Sequence, residues 1–176
     1  MRKKHFVQTQ YRFAELSETA KDHAKQKFAS WDAYSWGDDA LDSIKALAKH
    51  FGGSMTNWSI DWFNSSHSDA TFRMPDDLTF KDIEQRLDEL GTYNPGTLRG
   101  NGDCKLTGIC FDEDAIDGFR RAFIGGELDL QELMQAGFHT WLSACQADCE
   151  DQYSDETFGE NCEANDYWFN ERGDLV

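Results

Sequence analysis

Cys145 and Cys149 stand four residues apart on a stretch with helical periodicity, and His139 lies six residues before Cys145. Two thiolates at that spacing can face one metal, so zinc is the first chemistry to weigh. Structural zinc sites pair their ligands two to four residues apart on turns, with a second such pair nearby. Cys104 and Cys110 are too far apart for that pattern and Cys162 is single. Ordinary buried thiols, which behave as small apolar groups, fit the five cysteines better, and no metal ligand set is assigned.

Carboxylates come next. Asp112, Glu113, Asp114 and Asp117 form one dense cluster, and Asp148, Glu150, Asp151, Asp155 and Glu156 another. The calcium-loop pattern fails in the first, because Ile116 stands where a ligand belongs. Asp112 as a helix N-cap, with Glu113 and Asp114 in the first turn, explains the same residues without a metal. His67 sits among Ser65, Ser66 and Ser68, but no nucleophile elbow accompanies it. Gly96 to Gly102 is glycine-rich and lacks the lysine ending of a phosphate loop. Arg99 and Lys105 flank it as candidate anion contacts. No residue earns a catalytic assignment, and no cofactor is expected.

The elements that must position these groups read as α+β. Val7, Thr9, Tyr11 and Phe13 alternate with polar residues, which predicts a strand near 6–13. Ser17 caps a helix carrying Ala20, Ala24 and Phe28, and a second helix fits 39–51 until Gly52-Gly53. Residues 56–63 and 69–74 predict an antiparallel hairpin, with Trp58, Ile60 and Trp62 on one face. That face is expected to be core rather than a base-stacking platform. Thr79 opens a helix to Leu90 with Phe80, Ile83 and Leu87 inward; further strands are expected near 105–111 and 166–169. Helices opening at Asp112 and covering 129–149 and 155–164 complete the reading. It is one acidic domain over 1–176, a small antiparallel sheet packed against four to six helices.

Composition narrows the class. Aromatics make up 14% of the chain, too many for charge-driven disorder. No apolar run reaches the roughly 18 residues of a membrane span, and the basic start turns polar at Gln8, unlike a secretory signal. With reduced thiols, a cytoplasmic location follows. Charge is uneven: residues 1–50 carry nine Lys/Arg against seven Asp/Glu, whereas 112–176 carry three against seventeen. Such a surface repels nucleic acid and anionic lipid, and it attracts basic partners over a Debye length of roughly 8 Å.

Tyr11-Arg12-Phe13-Ala14-Glu15-Leu16-Ser17-Glu18-Thr19-Ala20-Lys21-Asp22-His23-Ala24 resembles the N-terminal strand–helix of a loose family of small phage- and prophage-encoded proteins. Glu163 to Gly173, with its Glu-Ala-Asn start, is similar to the segment near their ends. The resemblance implies a phage origin, action in the infected bacterial host and, for some members, an antitoxin-like label. It carries over no catalytic residues.

The leading expectation is an accessory protein that binds another protein. Its acidic face, chiefly Asp148, Glu150, Asp151, Asp155, Glu156 and Glu160, would occupy a basic, nucleic-acid-binding host surface in counter-defence. One alternative is an antitoxin-like regulator using an apolar patch around Trp31 and Trp36. Another is a small-ligand-binding protein or enzyme built on the loop 93–105. Oligomeric state is not legible.

Overall fold

The computed structural model describes residues 9–31, 34–91, 105–108 and 111–176. Among them are α1 (Glu18–Trp31), α2 (Gly37–His50), β1 (Ser54–Ser59), β2 (Asp69–Arg73), α3 (Phe80–Glu89), α4 (Asp112–Ile124), α5 (Leu130–Gln152) and α6 (Asp155–Ala164). This is an α+β fold with a small antiparallel sheet packed against helices. The chain divides into two compact units, one of residues 1–34 and 149–176, the other of residues 35–148.

The first unit joins the two ends of the chain. Phe13, Leu16, Ala20, Ala24, Phe158, Cys162 and Phe169 form its core, with Phe28 and Tyr167 packed on it. Phe158 meets the edges of Phe13 at 4.9 Å and of Phe28 at 5.2 Å, a favoured aromatic geometry. Tyr11 and Phe169 exchange backbone bonds of 2.8 and 2.9 Å. This bridge and a second between Phe169 and Leu175 are what forms of the strands expected near 6–13 and 166–169 among the described residues. Phe13–Glu15 turns instead into a 3-10 helix, started when the Glu15 carboxylate accepts the Arg12 N–H at 2.7 Å. Near the other end Gly173 crosses α1 so closely that a Cβ there would lie 2.1 Å from the Ala20 carbonyl oxygen; its φ is +88°. Only glycine fits both demands.

In the second unit the part of α5 up to residue 148 carries a fully buried Trp141, whose indole N–H donates to the Ala40 carbonyl of α2 at 2.9 Å. Phe51 stacks on Phe119 at 4.2 Å. Gly118 lets α4 meet α5, since a Cβ there would come within 2.6 Å of Ala136 O and of Thr140. The hairpin pairs Ser59 with Asp69 and Ser54 with Arg73, with a bulge between Met55 and Asn57. Gln135 and Gln146 of α5 donate to the Ala70 and Asp61 carbonyls, tying helix to hairpin.

Four expectations are corrected here. Residues 105–108 form bends, not a strand. The reason is Asp112, whose fully buried carboxylate accepts the N–H groups of Leu106, Thr107 and Gly108 at 2.7–3.2 Å and the Thr107 hydroxyl at 2.8 Å. Those donors are then unavailable to a ladder. Asp112 therefore shapes the loop upstream and does not cap its own helix, which starts from Phe111 without a side-chain cap. Trp58 pairs with the buried Ala70 but stays 44% exposed, because its cover is the Lys45 ammonium, 5.1 Å over the ring. Phe80 is likewise 51% exposed at the start of α3, stacked on Phe123.

Candidate partner-binding surface

The sequence of α6 dictates what it shows to solvent. Ser154 caps the helix by accepting the Thr157 N–H at 3.2 Å, and Asp155 and Glu156 complement the dipole. Phe158 and Cys162, four apart, turn into the core. The opposite stripe at i, i+4 and i+7 is Glu156, Glu160 and Glu163, all exposed. Glu163 was missed in the sequence reading, although its helical spacing from Glu156 was the available signal. Just before this helix, Glu150 and Asp151 are exposed in the last turn of α5. No Lys, Arg or His side chain among the described residues lies within 4 Å of Glu150, Asp151, Glu156, Glu160 or Glu163.

Asp155 differs. Its oxygens take Lys25 at 2.6 Å and Lys21 at 3.6 Å, and the Lys25 bond first of all lowers its pKa. The lysines of α1, a basic edge in the sequence, are thus spent on the acidic C-terminal segment. Lys27 meets Asp174 at 2.7 Å, joined by His23 at 3.0 Å and by the Asn170 amide; these bonds hold the Asp174 carboxyl far below the usual carboxylate range. Arg12 meets Asp166 at 2.6 Å, lowering that pKa too, and lies 3.7 Å over the Trp168 ring. Asp148, half-buried, belongs to the second unit and stands apart from the rest of the predicted set.

The other candidate residues are scattered. Arg99, most of the loop 93–105, Cys104 and Cys110 lie outside the described residues. Lys105 is exposed and lies against Gly91. Cys145, Cys149 and Cys162 are buried, and burial pushes the Cys162 thiol up to about 11. No cluster of three metal-ligating side chains occurs among the described residues. His67 faces Asp61 at 3.5 Å and Asn64 at 3.3 Å, while the Ser66 and Ser68 hydroxyls donate to Asn64 and to the Asp61 carbonyl. A serine–histidine pair is not assembled there. A cleft lined by His50, Asp82, Gln85, Arg86 and Glu89 holds polar groups already bonded to one another. Trp31 and Trp36 are 62% and 56% exposed, each in its own unit.

In α4, Asp114 is pushed up to about 6, chiefly by burial and then by the neighbouring Glu113 and Asp117. Ionisation of Asp114 is therefore opposed by its surroundings. No described helix is long and apolar enough to cross a membrane. No family model, curated protein or solved structure matches the chain.

Proposed function

We propose that the protein acts by binding another protein, and that Glu150, Asp151, Glu156, Glu160 and Glu163 occupy a basic host surface of the kind that holds nucleic acid. The observation that carries this reading is where the charges sit. Glu150 and Asp151 lie in the last turn of a 23-residue helix that ends without a basic residue. A carboxylate there opposes the helix dipole, at roughly 0.3–1 kcal/mol each. Solubility is served by acid anywhere on a surface; placement against the dipole, with the nearby lysines committed elsewhere, suits recognition. The phage-family resemblance supplies the setting, an accessory protein working in the infected host's cytoplasm as a counter-defence inhibitor. Asp155, held by Lys25, is left out of this surface.

Affinity capture from a bacterial host at about 50 mM and about 300 mM salt tests it. The bait is compared with a variant carrying Glu150→Gln, Asp151→Asn, Glu156→Gln and Glu160→Gln. The reading expects a partner retained at low salt, weakened at high salt and lost with the variant. Equal retention by both baits contradicts it. A second, antitoxin-like reading is favoured by the exposure of Trp36; it expects Trp36→Ala to abolish capture while the carboxylate variant keeps it.

A further inference from the structure

The second unit carries an apolar patch that the acidic surface of the first does not explain. Phe80 stacks on Phe123 at 4.8 Å, and the next residue, Ile124, is 76% exposed. Leu128, four residues on in the turn between α4 and α5, is 55% exposed. Exposed side chains of this size, within five residues of a stacked aromatic ring in the chain, are the kind that interaction sites use. The turn that presents them is fully bonded. The N–H groups of Gly125, Gly126 and Glu127 donate to the Arg121, Phe123 and Ala122 carbonyls, and those of Leu128 and Asp129 donate to Glu127 Oε1. No N–H is left from Gly125 to Asp129 to take up an added strand, so recognition must run through side chains. A helix, whose own backbone is satisfied internally, is the occupant that needs nothing more.

Charge specifies its chemistry. Glu127, Asp129 and Glu132 are exposed beside the apolar pair. Glu127 Oε2 and Asp129 Oδ2 meet no described donor, since their partner oxygens take all the capping bonds. Residues 35–148 hold nine Lys/Arg against twenty Asp/Glu, a balance of −11. We infer that Phe80, Ile124 and Leu128 form a docking site for a basic amphipathic helix, its leucine-like face on the patch and its lysines or arginines against Glu127, Asp129 and Glu132.

The test uses the full chain and a fluorescently labelled 18-residue peptide of leucine and lysine arranged as an amphipathic helix. A permuted peptide of equal composition and a leucine–glutamate counterpart are the controls. The amphipathic basic peptide should bind at least tenfold more tightly than either control. Ile124→Gln with Leu128→Gln should remove that advantage, and Glu132→Lys should weaken it several-fold. Both changes are at exposed positions, and unchanged circular dichroism would confirm that the variants fold. The acidic α6 variant should bind the peptide as the parent does, which separates this site from the proposed partner surface. Equal binding of the permuted peptide overturns the inference, as does binding that survives the double substitution. Self-association abolished by that substitution, without peptide binding, would show a second copy as the occupant and overturn it too.

Discussion

The two units use the same chemistry to opposite ends. Residues 35–148 carry the larger negative balance, and among the described residues their pairs Lys45–Asp42 and Arg121–Asp117 lie within single helices. Residues 1–34 and 149–176 are less acidic, with eight Lys/Arg against thirteen Asp/Glu. There, Arg12, Lys21, Lys25 and Lys27 reach Asp166, Asp155 and Asp174, more than a hundred residues away in sequence. In the first unit charge fastens the chain ends through Asp155, Asp166 and Asp174 while Glu150, Asp151, Glu156, Glu160 and Glu163 stay open; in the second, burial raises Asp114. Net charge alone therefore says little about where a carboxylate is free to meet a partner.

The largest expected effects test the two cores. Trp141→Ala should cost the second unit about 3–5 kcal/mol, because a fully buried ring and its bond to Ala40 are both lost. Gly173→Ala should cost the first unit more than about 3 kcal/mol, through its φ and its approach to Ala20. Denaturant titration measures both, and hydrogen exchange should place the second loss in α1 and α6. A mild effect of Gly173→Ala would break the claim that the C-terminal segment is closely fitted to α1.

Acid sharpens the contrast, because Asp114 of the second unit and the paired aspartates of the first respond with opposite sign. Asp114 has a folded pKa raised to about 6, above its ordinary 3.8, so the fold loses stability as pH rises from about 4 through 6. Asp114→Asn should raise stability near pH 7.5, by less than the full shift would give because solvent screens this part-exposed group, and the gain should vanish below pH 4. Asp155, Asp166 and Asp174 have lowered values. Their contribution is complete above about pH 4 and fades as pH falls through the folded values. Asp174→Asn should therefore lower stability at neutral pH and flatten the acid limb of the thermal midpoint against pH.

The smallest effect concerns the exposed ion pairs. Lys25→Met should lower stability only slightly, and the difference from the parent should shrink further in about 0.5 M salt. A loss that persists at high salt would instead point to packing of the lysine stem.

Much of the secondary structure was legible because its signals are local. The Thr79–Asp82 capping box sets the start of α3, and the Ser154 cap and the Phe158–Cys162 spacing set α6. What escaped was decided by contacts distant in sequence or made backwards along the chain. Asp112 looks like an N-cap by type and place, but its acceptors serve the preceding loop. Trp58 alternates as a core residue would, and only the Lys45 placement leaves it half open. Asp155 seemed as available as Glu156 until Lys25, 130 residues earlier, took it. The acidity of the C-terminal segment was legible in composition, while which of its carboxylates are paired needed the three-dimensional placement of the lysines.

Competition on the captured partner tests the central claim most directly. With the partner's own nucleic acid bound and labelled, increasing amounts of this protein should displace it, and the Glu150, Asp151, Glu156 and Glu160 variant should fail to do so. A ternary complex in which protein and nucleic acid bind together, unchanged by those four substitutions, would contradict the account.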